Sequence, residues 1–286
     1  MITKDKVTEI FCIIDEFCKH LHVELAKNLQ LPSHDGKGKL CRNRKGRLSD
    51  SEIMTILLCY HFGTYRNFKE YYLNCIHGQL RQEFPDAVSY NRFVELMPRV
   101  FFHLMAFMKI YAFGRFSGIS FVDSTMIPVC HNVRRYFNKV FAGLARSGKG
   151  TMGWCHGFKL HLLCNDTGEI ITFCLTPANV DYRDKRVWSV FTKVLYGKVF
   201  ADRGYIKQEL FGHLFDKGIH LVHGLKARMK NKLMPMWDRI MLRKRYIIEC
   251  INELLKNKAN LVHSRHRSVH NFIMNLCSAL AAYCFF

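Results

Sequence analysis

The chain has 286 residues, of which 49% are hydrophobic and 13% aromatic, enough for one large domain or two smaller ones. Its 43 lysines and arginines exceed its 23 acidic residues, which gives a formal net charge of +20. This composition excludes an intrinsically disordered chain and favours a polyanionic partner such as nucleic acid, with a merely basic protein as the alternative. Most of the excess positive charge lies after residue 110.

The cysteines and the two termini indicate the cellular compartment in which the protein is expected. Twelve cysteines are scattered along the chain, many inside apolar runs such as ILLCYHF, where thiols serve as small core residues. No C-x-x-C pair occurs, which argues against a zinc site and favours a reducing, cytoplasmic compartment. The N-terminus lacks the pattern of a secretion signal. The apolar end NFIMNLCSALAAYCFF is shorter than the about 20 residues that span a bilayer, so it predicts a packed final helix and no membrane partner.

The first part of the chain has the periodicity of helices. Apolar residues recur every three or four positions in VTEIFCIIDEFCKHL and in RFVELMPRVFFHLMAFMKIYAF. Between these segments, HDGKGK and RNRKGR predict a mobile basic loop, and Ser49 with Glu52 forms a capping-box pattern before a new helix. We therefore expect a helical N-terminal domain at residues 1–112. Binding of DNA ends through a helix-turn-helix and plain structural packing are both open for it.

From residue 113 onwards the pattern changes to that of consecutive strands, and then to helices that alternate with strands. GISFVDSTMIPVC predicts a first strand, and GFKLHLLCNDTGEIITFCLTP predicts a hairpin that turns at NDTGE. A helix in DYRDKRVWSVFTKVLYG, a strand in KVFADRGY, a helix in IKQELFGHLFDKG, a strand in IHLVHGL and a helix in RYIIECINELLKNK follow. This order predicts an α/β domain at residues 113–286, with a mixed sheet and flanking helices.

Carboxylates in this acid-poor region are conspicuous because each lies among apolar residues. Asp123 is in the middle of the first strand and Asp202 ends the fourth, where Gly204 would let the backbone turn. The first and fourth strands of such a sheet are commonly adjacent, and two carboxylates side by side need a hard cation such as Mg²⁺ or Mn²⁺. Glu249 on the last helix of the alternation is the best third ligand. For each acid alone, a surface charge paired with an arginine is the alternative.

A spaced signature surrounds Glu249. Arg245, Glu249 and Lys256 have the spacing of a signature in the DDE transposases of bacterial insertion sequences, with Leu242 where that signature has tyrosine. With FVDSTMIPVCHNVRR, KGTMGWCHGFKLHLLCNDTGEI, TPANVDYRD, VFADRGYI and SRHRSVHNFIMNLCSALAAYCF, the chain from about residue 40 resembles the insertion sequence 982 family. That family often has a second aspartate where Tyr182 stands.

The resemblance implies a fold, an activity and a site. The catalytic domain would be ribonuclease-H-like, with Asp123, Asp202 and Glu249 as a catalytic triad that binds two Mg²⁺ ions. One ion would activate water or a DNA 3′-hydroxyl and the other would stabilise the leaving oxygen during in-line phosphoryl transfer. The protein would cleave at the inverted-repeat ends of its own element and join them to target DNA. It would act as a homodimer or larger assembly on paired ends, in a bacterial cytoplasm and on the nucleoid.

Basic residues around the triad are candidate contacts to double-stranded DNA. The stretch from Lys226 to Arg245 holds eight lysines and arginines and one acid, Asp238, and the resemblance assigns Lys256 to DNA near the cleavage point. A solvated charged loop and ordinary ion pairs are the alternatives. The candidate DNA-binding residues are Arg203, Lys226, Arg228, Lys230, Lys232, Arg243, Lys244, Arg245, Lys256, Arg265 and Arg267.

Two other functions use the same residues. A nuclease of the same fold would need the same metal chemistry, with water in place of the 3′-hydroxyl. A DNA-binding protein without catalysis would occupy element ends and leave them uncut. The helical N-terminal part and the family motifs favour a transposase over the nuclease, and the presence of all three acids and of the basic stretch favours it over the silent DNA-binding protein.

Overall fold

The helical and strand-rich parts of the chain form two compact units. In the computed structural model the described residues are 2–28, 46–63, 65–150, 153–224, 233–262 and 266–286. The helical unit comprises Met1–Ile110 together with His270–Phe286, and the sheet unit comprises Tyr111–Val269. None of the helices in these ranges has both the length and the apolar character that a membrane span requires.

The helical unit is built from amphipathic helices that begin and end at recognisable signals. The predicted capping box is confirmed: Glu52 N donates to the Ser49 side chain, and the Glu52 carboxylate accepts from Ser49 N. The helical pattern around Pro98 is divided by a 3-10 turn, since proline lacks a backbone donor. The helices are α1 (Lys4–Asn28), α2 (Asp50–Cys59), α3 (Phe68–Tyr71), α4 (Tyr90–Leu96), α5 (Phe101–Phe107) and, from the end of the chain, α10 (Val269–Ala282).

The last helix, α10, packs with the N-terminal helices, whereas the sequence analysis grouped it with the sheet. The Ser278 hydroxyl lies 2.8 Å from His61 Nε2, and the ring of Phe285 stacks on that of Phe107. Phe272 and Leu276 are buried. The apolar pattern of the segment predicts a buried helix but does not name the surface that buries it, so its partner follows from tertiary packing.

Among its described residues, the sheet unit has six strands and the helices that cover them. β3 and β4 form the predicted hairpin, with Gly168 at positive φ in its turn. Two elements were absent from the sequence prediction: β2, a glycine-rich strand without the usual β-branched residues, and α8, within the stretch interpreted as a basic loop. The strands are β1 (Ile119–Cys130), β2 (Arg146–Gly150), β3 (Gly153–Asn165), β4 (Ile170–Pro177), β5 (Gly197–Ala201) and β6 (Ile219–His223). The helices are α6 (Lys185–Phe191), α7 (Gln208–Phe215), α8 (Met236–Lys244) and α9 (Tyr246–Asn257).

The strand order places β1 and β5 side by side, as the sequence analysis expected of the first and fourth predicted strands. The order is β2-β3-β1-β5-β6, with β4 also paired to β3. β1 and β3 are antiparallel, while β1, β5 and β6 are parallel to one another. Phe121 of β1 lies opposite Phe200 of β5. Extending this register by two residues sets Asp202 opposite Asp123.

Alternation along the strands divides the sheet into two covered faces. Val122 and Val199 belong to the core cluster under α6 and α7, which includes the fully buried Trp188. The neighbouring residues Phe121 and Phe200 point to the opposite face, where their rings are 5.8 Å apart. α9 packs on β1 and β3, and α8 packs on β5 and β6. Asp123 shares the face of Phe121, so its side chain points towards α9.

An ion pair connects α8 to the sheet. Lys198 Nζ lies 2.7 Å from Asp238 Oδ1, and the aspartate side chain is only 3% exposed. Asp238 is the single acid of the basic stretch 226–245, and its buried position explains why a carboxylate occurs there. The pair compensates for the hydration that the carboxylate loses on burial.

We expect Asp238→Ala to lower the free energy of unfolding by about 2 kcal/mol, because Lys198 would face a buried site without its counter-charge. Urea denaturation followed by circular dichroism measures the change. Asp216→Ala is the matched control, since this aspartate is exposed at the end of α7 and should leave stability nearly unchanged. Equal effects of the two substitutions would contradict the assigned role.

Candidate active site

A cavity of about 1000 Å³ in the sheet unit contains two of the three predicted acids. Asp123 of β1 and Asp202 after β5 both line it, as does Lys256 of α9. Aromatic rings of Trp154, Tyr182 and Tyr205 form part of the wall. The cavity therefore combines carboxylates, lysine side chains and flat apolar surfaces in one space.

Asp123 is a carboxylate held largely out of water. Burial raises the pKa of its carboxyl group above the ordinary aspartate value, and the nearby charge of Glu249 raises it further. A hydrogen bond from the backbone of Ser124, the charge of Arg245 and the amide of Asn252 act in the opposite direction. The Asn252 Nδ2 donates to Asp123 Oδ2 at 2.9 Å. The site thus favours a positive ligand beside this oxygen.

Asp202 stands exposed where β5 ends. Its carboxylate accepts a hydrogen bond from Arg203 N at 2.7 Å and caps the short 3-10 turn Arg203–Tyr205. Gly204 does not have a positive φ, so it is not the sharp turn that the sequence suggested. A Cβ at Gly204 would instead collide with the hydroxyl end of the Tyr182 side chain. The glycine is needed for this close approach of Tyr182 to the site.

Glu249 lies on α9 and is held by a neighbour on the same helix. Arg245 donates from its guanidinium to the Glu249 carboxylate, four residues further along. Glu249 is 55% exposed at its side chain, and it does not line the cavity, although its charge acts on Asp123. The structure therefore brings Asp123 and Asp202 into one cavity, with Glu249 beside them and paired to Arg245.

One face of α9 carries three polar side chains towards the site. Glu249, Asn252 and Lys256 recur at spacings of three and four residues, which places them on one side of a helix. Ile248, Ile251 and Leu255 are buried and anchor the helix, as their periodicity predicted. Asn252 was not among the predicted site residues, although its spacing from Glu249 would have indicated it. Burial lowers the pKa of Lys256, and the charge of Asp123 partly restores it.

Lys159 is a second residue that the sequence analysis did not select. It lies in β3, is only 8% exposed and lines the cavity. Its Nζ donates to the Val180 carbonyl at 2.6 Å and lies 5.8 Å from the ring centre of Tyr182. Burial lowers the pKa of Lys159. The available signal was a lysine within a largely apolar strand. The alternation of side chains along a strand does not tell which face of the sheet borders a cavity.

The donor set fits a hard divalent cation. Asp123, Asp202 and Glu249 supply carboxylate oxygens, and Asn252 Oδ1 is a buried oxygen without a hydrogen-bond partner. Oxygen donors of this kind suit Mg²⁺ or Mn²⁺. Among the described residues, however, the three carboxylates do not converge within 4.8 Å of one another. Glu249 would have to turn from Arg245 to join the other two.

The candidate DNA-binding residues occupy several places. Lys256 lines the cavity, and Arg245 is engaged with Glu249, so the ion-pair alternative describes its contact. Arg203, Arg243 and Arg267 are exposed, and Lys244 is partly buried near the end of α8. The remaining candidates lie outside the described residues: Lys226, Arg228, Lys230, Lys232 and Arg265.

We expect Asp123→Asn to increase the free energy of unfolding at pH 7 in the presence of EDTA. The raised pKa of Asp123 means that the folded state gives up its proton less readily than the unfolded state, so the wild type loses stability as the pH rises through that pKa. The asparagine has no charge to bury, and its advantage should vanish below pH 3.8, the ordinary aspartate value. Urea denaturation at several pH values measures the difference.

Asp216→Asn is the matched control for this prediction. It removes the same charge from an exposed aspartate, so it reports the effect of net charge alone. A gain in Asp216→Asn equal to that in Asp123→Asn would show that burial of Asp123 is not the cause.

Comparisons with known proteins identify the family of the chain from its sequence and its fold from one similar structure. The family model described as "Transposase DDE domain" matches residues 113–269, more than half of the chain. The piggyBac transposase, from a synaptic complex with hairpin DNA, is similar with a TM-score of 0.51 and 8% identity, over 99% of this chain and 72% of that one. The Mos1 transposase of a paired-end complex gives a TM-score of 0.29 and 11% identity, over 99% and 95%. No curated protein matched. The predicted ribonuclease-H-like fold class is confirmed, and the chain belongs to the DDE transposase family.

Proposed function

We propose that this transposase cleaves DNA at the inverted-repeat ends of its own insertion sequence, of the insertion sequence 982 family, and joins those ends to target DNA. The observation that carries the proposal is the cavity between β1, β5 and α9, where Asp123 and Asp202 lie with Lys256. The parallel pairing of the two strands supports this use, because it ends at Phe121 and Phe200, each two residues before one of the aspartates.

Each side chain of the site has a distinct task in this proposal. Asp123, Asp202 and Glu249 are the catalytic carboxylates and the metal ligands, and Asn252 orients Asp123 through its amide. Arg245 positions Glu249 while the site is without DNA. Lys256 contacts a phosphate beside the scissile bond. Lys159 and Tyr182 shape the wall on which the DNA backbone rests.

Two Mg²⁺ ions, or Mn²⁺ in their place, are the proposed cofactors. Bound there, such ions supply Lewis-acid activation of the attacking oxygen and charge stabilisation of the leaving oxygen in a phosphoryl transfer. The chain contributes the buried carboxylate of Asp123. Burial raises its pKa, and a cation beside it would stabilise its charged form. The rings of Tyr182 and Tyr205, 4.6 Å apart, form an apolar side of the same site.

The proposed partner is double-stranded DNA, bound as paired element ends by a homodimer or larger assembly. The net charge of +20 supports a polyanionic partner, and the exposed Arg203, Arg243 and Arg267 are candidate phosphate contacts. Lys226, Arg228, Lys230, Lys232 and Arg265 lie outside the described residues, and the same role rests for them on sequence alone. The protein would act in the bacterial cytoplasm, on the DNA of the nucleoid. Residues 1–112 would bind the ends.

We expect Asp202→Asn to abolish cleavage and joining while end binding stays equal or improves, because the substitution removes both a metal ligand and a charge that repels phosphate. The assay incubates purified protein with labelled duplexes from the element ends and a plasmid target, in Mg²⁺ or in EDTA. Asp216→Asn is the control with the same charge change at an exposed position that does not line the cavity. Normal cutting by Asp202→Asn would refute the assignment of the triad.

The products of this assay separate the three functions. Joined ends that require both Mg²⁺ and Asp202 establish a transposase of the proposed kind. Metal-dependent cleavage without joining would instead indicate a hydrolytic nuclease of the same fold. End binding with neither product would indicate a catalytically silent DNA-binding protein.

We expect Lys256→Ala to weaken end binding and to reduce the slope of log K against log salt by about one unit, because one phosphate contact is lost. Filter binding at several salt concentrations measures the slope. Lys258→Ala is a close control, since Lys258 is exposed just after the same helix and does not line the cavity. An unchanged slope for Lys256→Ala would place this lysine away from the DNA.

A further inference from the structure

Three side chains from three helices of the helical unit converge on one place. His22 lies on α1, Asp50 is the first residue of α2, and His103 lies on α5. Within the described part of the chain, this is the only group of three histidine, cysteine or acidic side chains whose ligand atoms all lie within 4.8 Å of one another. These residues are far apart in sequence, so no motif reveals the group.

The distances within this group match a small coordination sphere. His22 Nε2 lies 3.1 Å from His103 Nε2 and 3.6 Å from Asp50 Oδ2, and His103 Nε2 lies 3.9 Å from the same oxygen. Bonds of about 2.0 to 2.2 Å to a tetrahedral zinc ion separate its ligand atoms by about 3.3 to 3.5 Å. The three measured distances bracket this value. Small rotations of the exposed His22 ring would bring its distances to His103 and Asp50 to this value.

Arg99 orients the Asp50 carboxylate so that one of its oxygens is available to a cation. Its Nε donates to Asp50 Oδ1 at 2.6 Å and its Nη2 donates to the Leu48 carbonyl at 3.0 Å. Asp50 Oδ1 is thereby engaged, and Oδ2 is the oxygen that faces the two imidazoles. Such contacts to the second oxygen orient ligating carboxylates in metal sites.

The two imidazoles of the group differ in their access to solvent. The exposed fraction is 54% for the His22 side chain and 13% for that of His103. A cation therefore has a route from solvent on the His22 side, and water can complete its coordination there.

We propose that His22, Asp50 and His103 bind one transition-metal ion of the zinc class, which joins α1, α2 and α5 in the helical unit. Two imidazoles and one carboxylate suit Zn²⁺ or Co²⁺ far better than Mg²⁺, which prefers oxygen ligands. The absence of C-x-x-C pairs argues only against cysteine-based zinc sites. The ion differs in ligands and in place from the proposed catalytic metals, so the inference does not depend on the proposed function.

The test titrates Co²⁺ into the full chain carrying Asp123→Asn and Asp202→Asn, so that the proposed catalytic carboxylates do not hold metal. We expect one Co²⁺ per chain with the visible absorption of a four-coordinate site containing nitrogen ligands. His22→Gln in this background should weaken Co²⁺ binding by at least about tenfold, since even outer-shell substitutions at metal sites cost 10 to 100-fold. His20→Gln is the matched control on the same helix, exposed and not in the group.

A second measurement guards against an effect on folding. The side chain of His22 is largely exposed, so His22→Gln should keep the circular dichroism spectrum and the unfolding midpoint of the parent in EDTA. Added Zn²⁺ should raise the midpoint of the parent and of His20→Gln, and should raise that of His22→Gln less. Absence of the four-coordinate absorption, or equal Co²⁺ affinity in His22→Gln and His20→Gln, would overturn the proposal.

Discussion

The parallel pairing of β1 with β5 is the constraint on which the site depends. It sets Phe121 opposite Phe200, and the same register continued by two residues sets Asp123 opposite Asp202. Parallel neighbours lie about 4.8 Å apart, so a cation between carboxylates at such positions would stabilise both of them. Burial of the Asp123 carboxylate raises its pKa, and a divalent metal bound beside it would offset this electrostatic cost of burial. That cost is the physical basis of the proposed metal binding.

The helix α9 supplies what the two strands lack. Its buried residues hold it against β1 and β3, and the polar face then carries Glu249, Asn252 and Lys256 to the same region. Asn252 donates to Asp123 and keeps a buried oxygen free. Glu249 is paired with Arg245 instead of converging with the two aspartates. Under the proposed function, Glu249 would leave Arg245 and become the third ligand when metal and DNA bind.

The wall of the cavity shows how neighbouring side chains constrain one another. Tyr182 occupies the space that a side chain at Gly204 would need, and its ring packs on Tyr205. Lys159 reaches the Val180 carbonyl beside the same ring. These contacts place an aromatic surface next to Asp202. The loop that carries Tyr182 is therefore part of the site, although it holds no predicted catalytic residue.

The sequence by itself determined the class of the fold, the adjacency of the first and fourth predicted strands and the capping of α2 at Ser49, because these follow from local periodicity, strand order and side-chain chemistry. It also named Asp123 and Asp202, since an acid within an apolar strand is conspicuous wherever it occurs. Only the tertiary structure decided that α10 packs with the N-terminal helices, since an apolar face does not specify its partner. The same holds for the group of His22, Asp50 and His103. Its members come from separate helices, and no spacing along the chain encodes distances that are set when those helices pack.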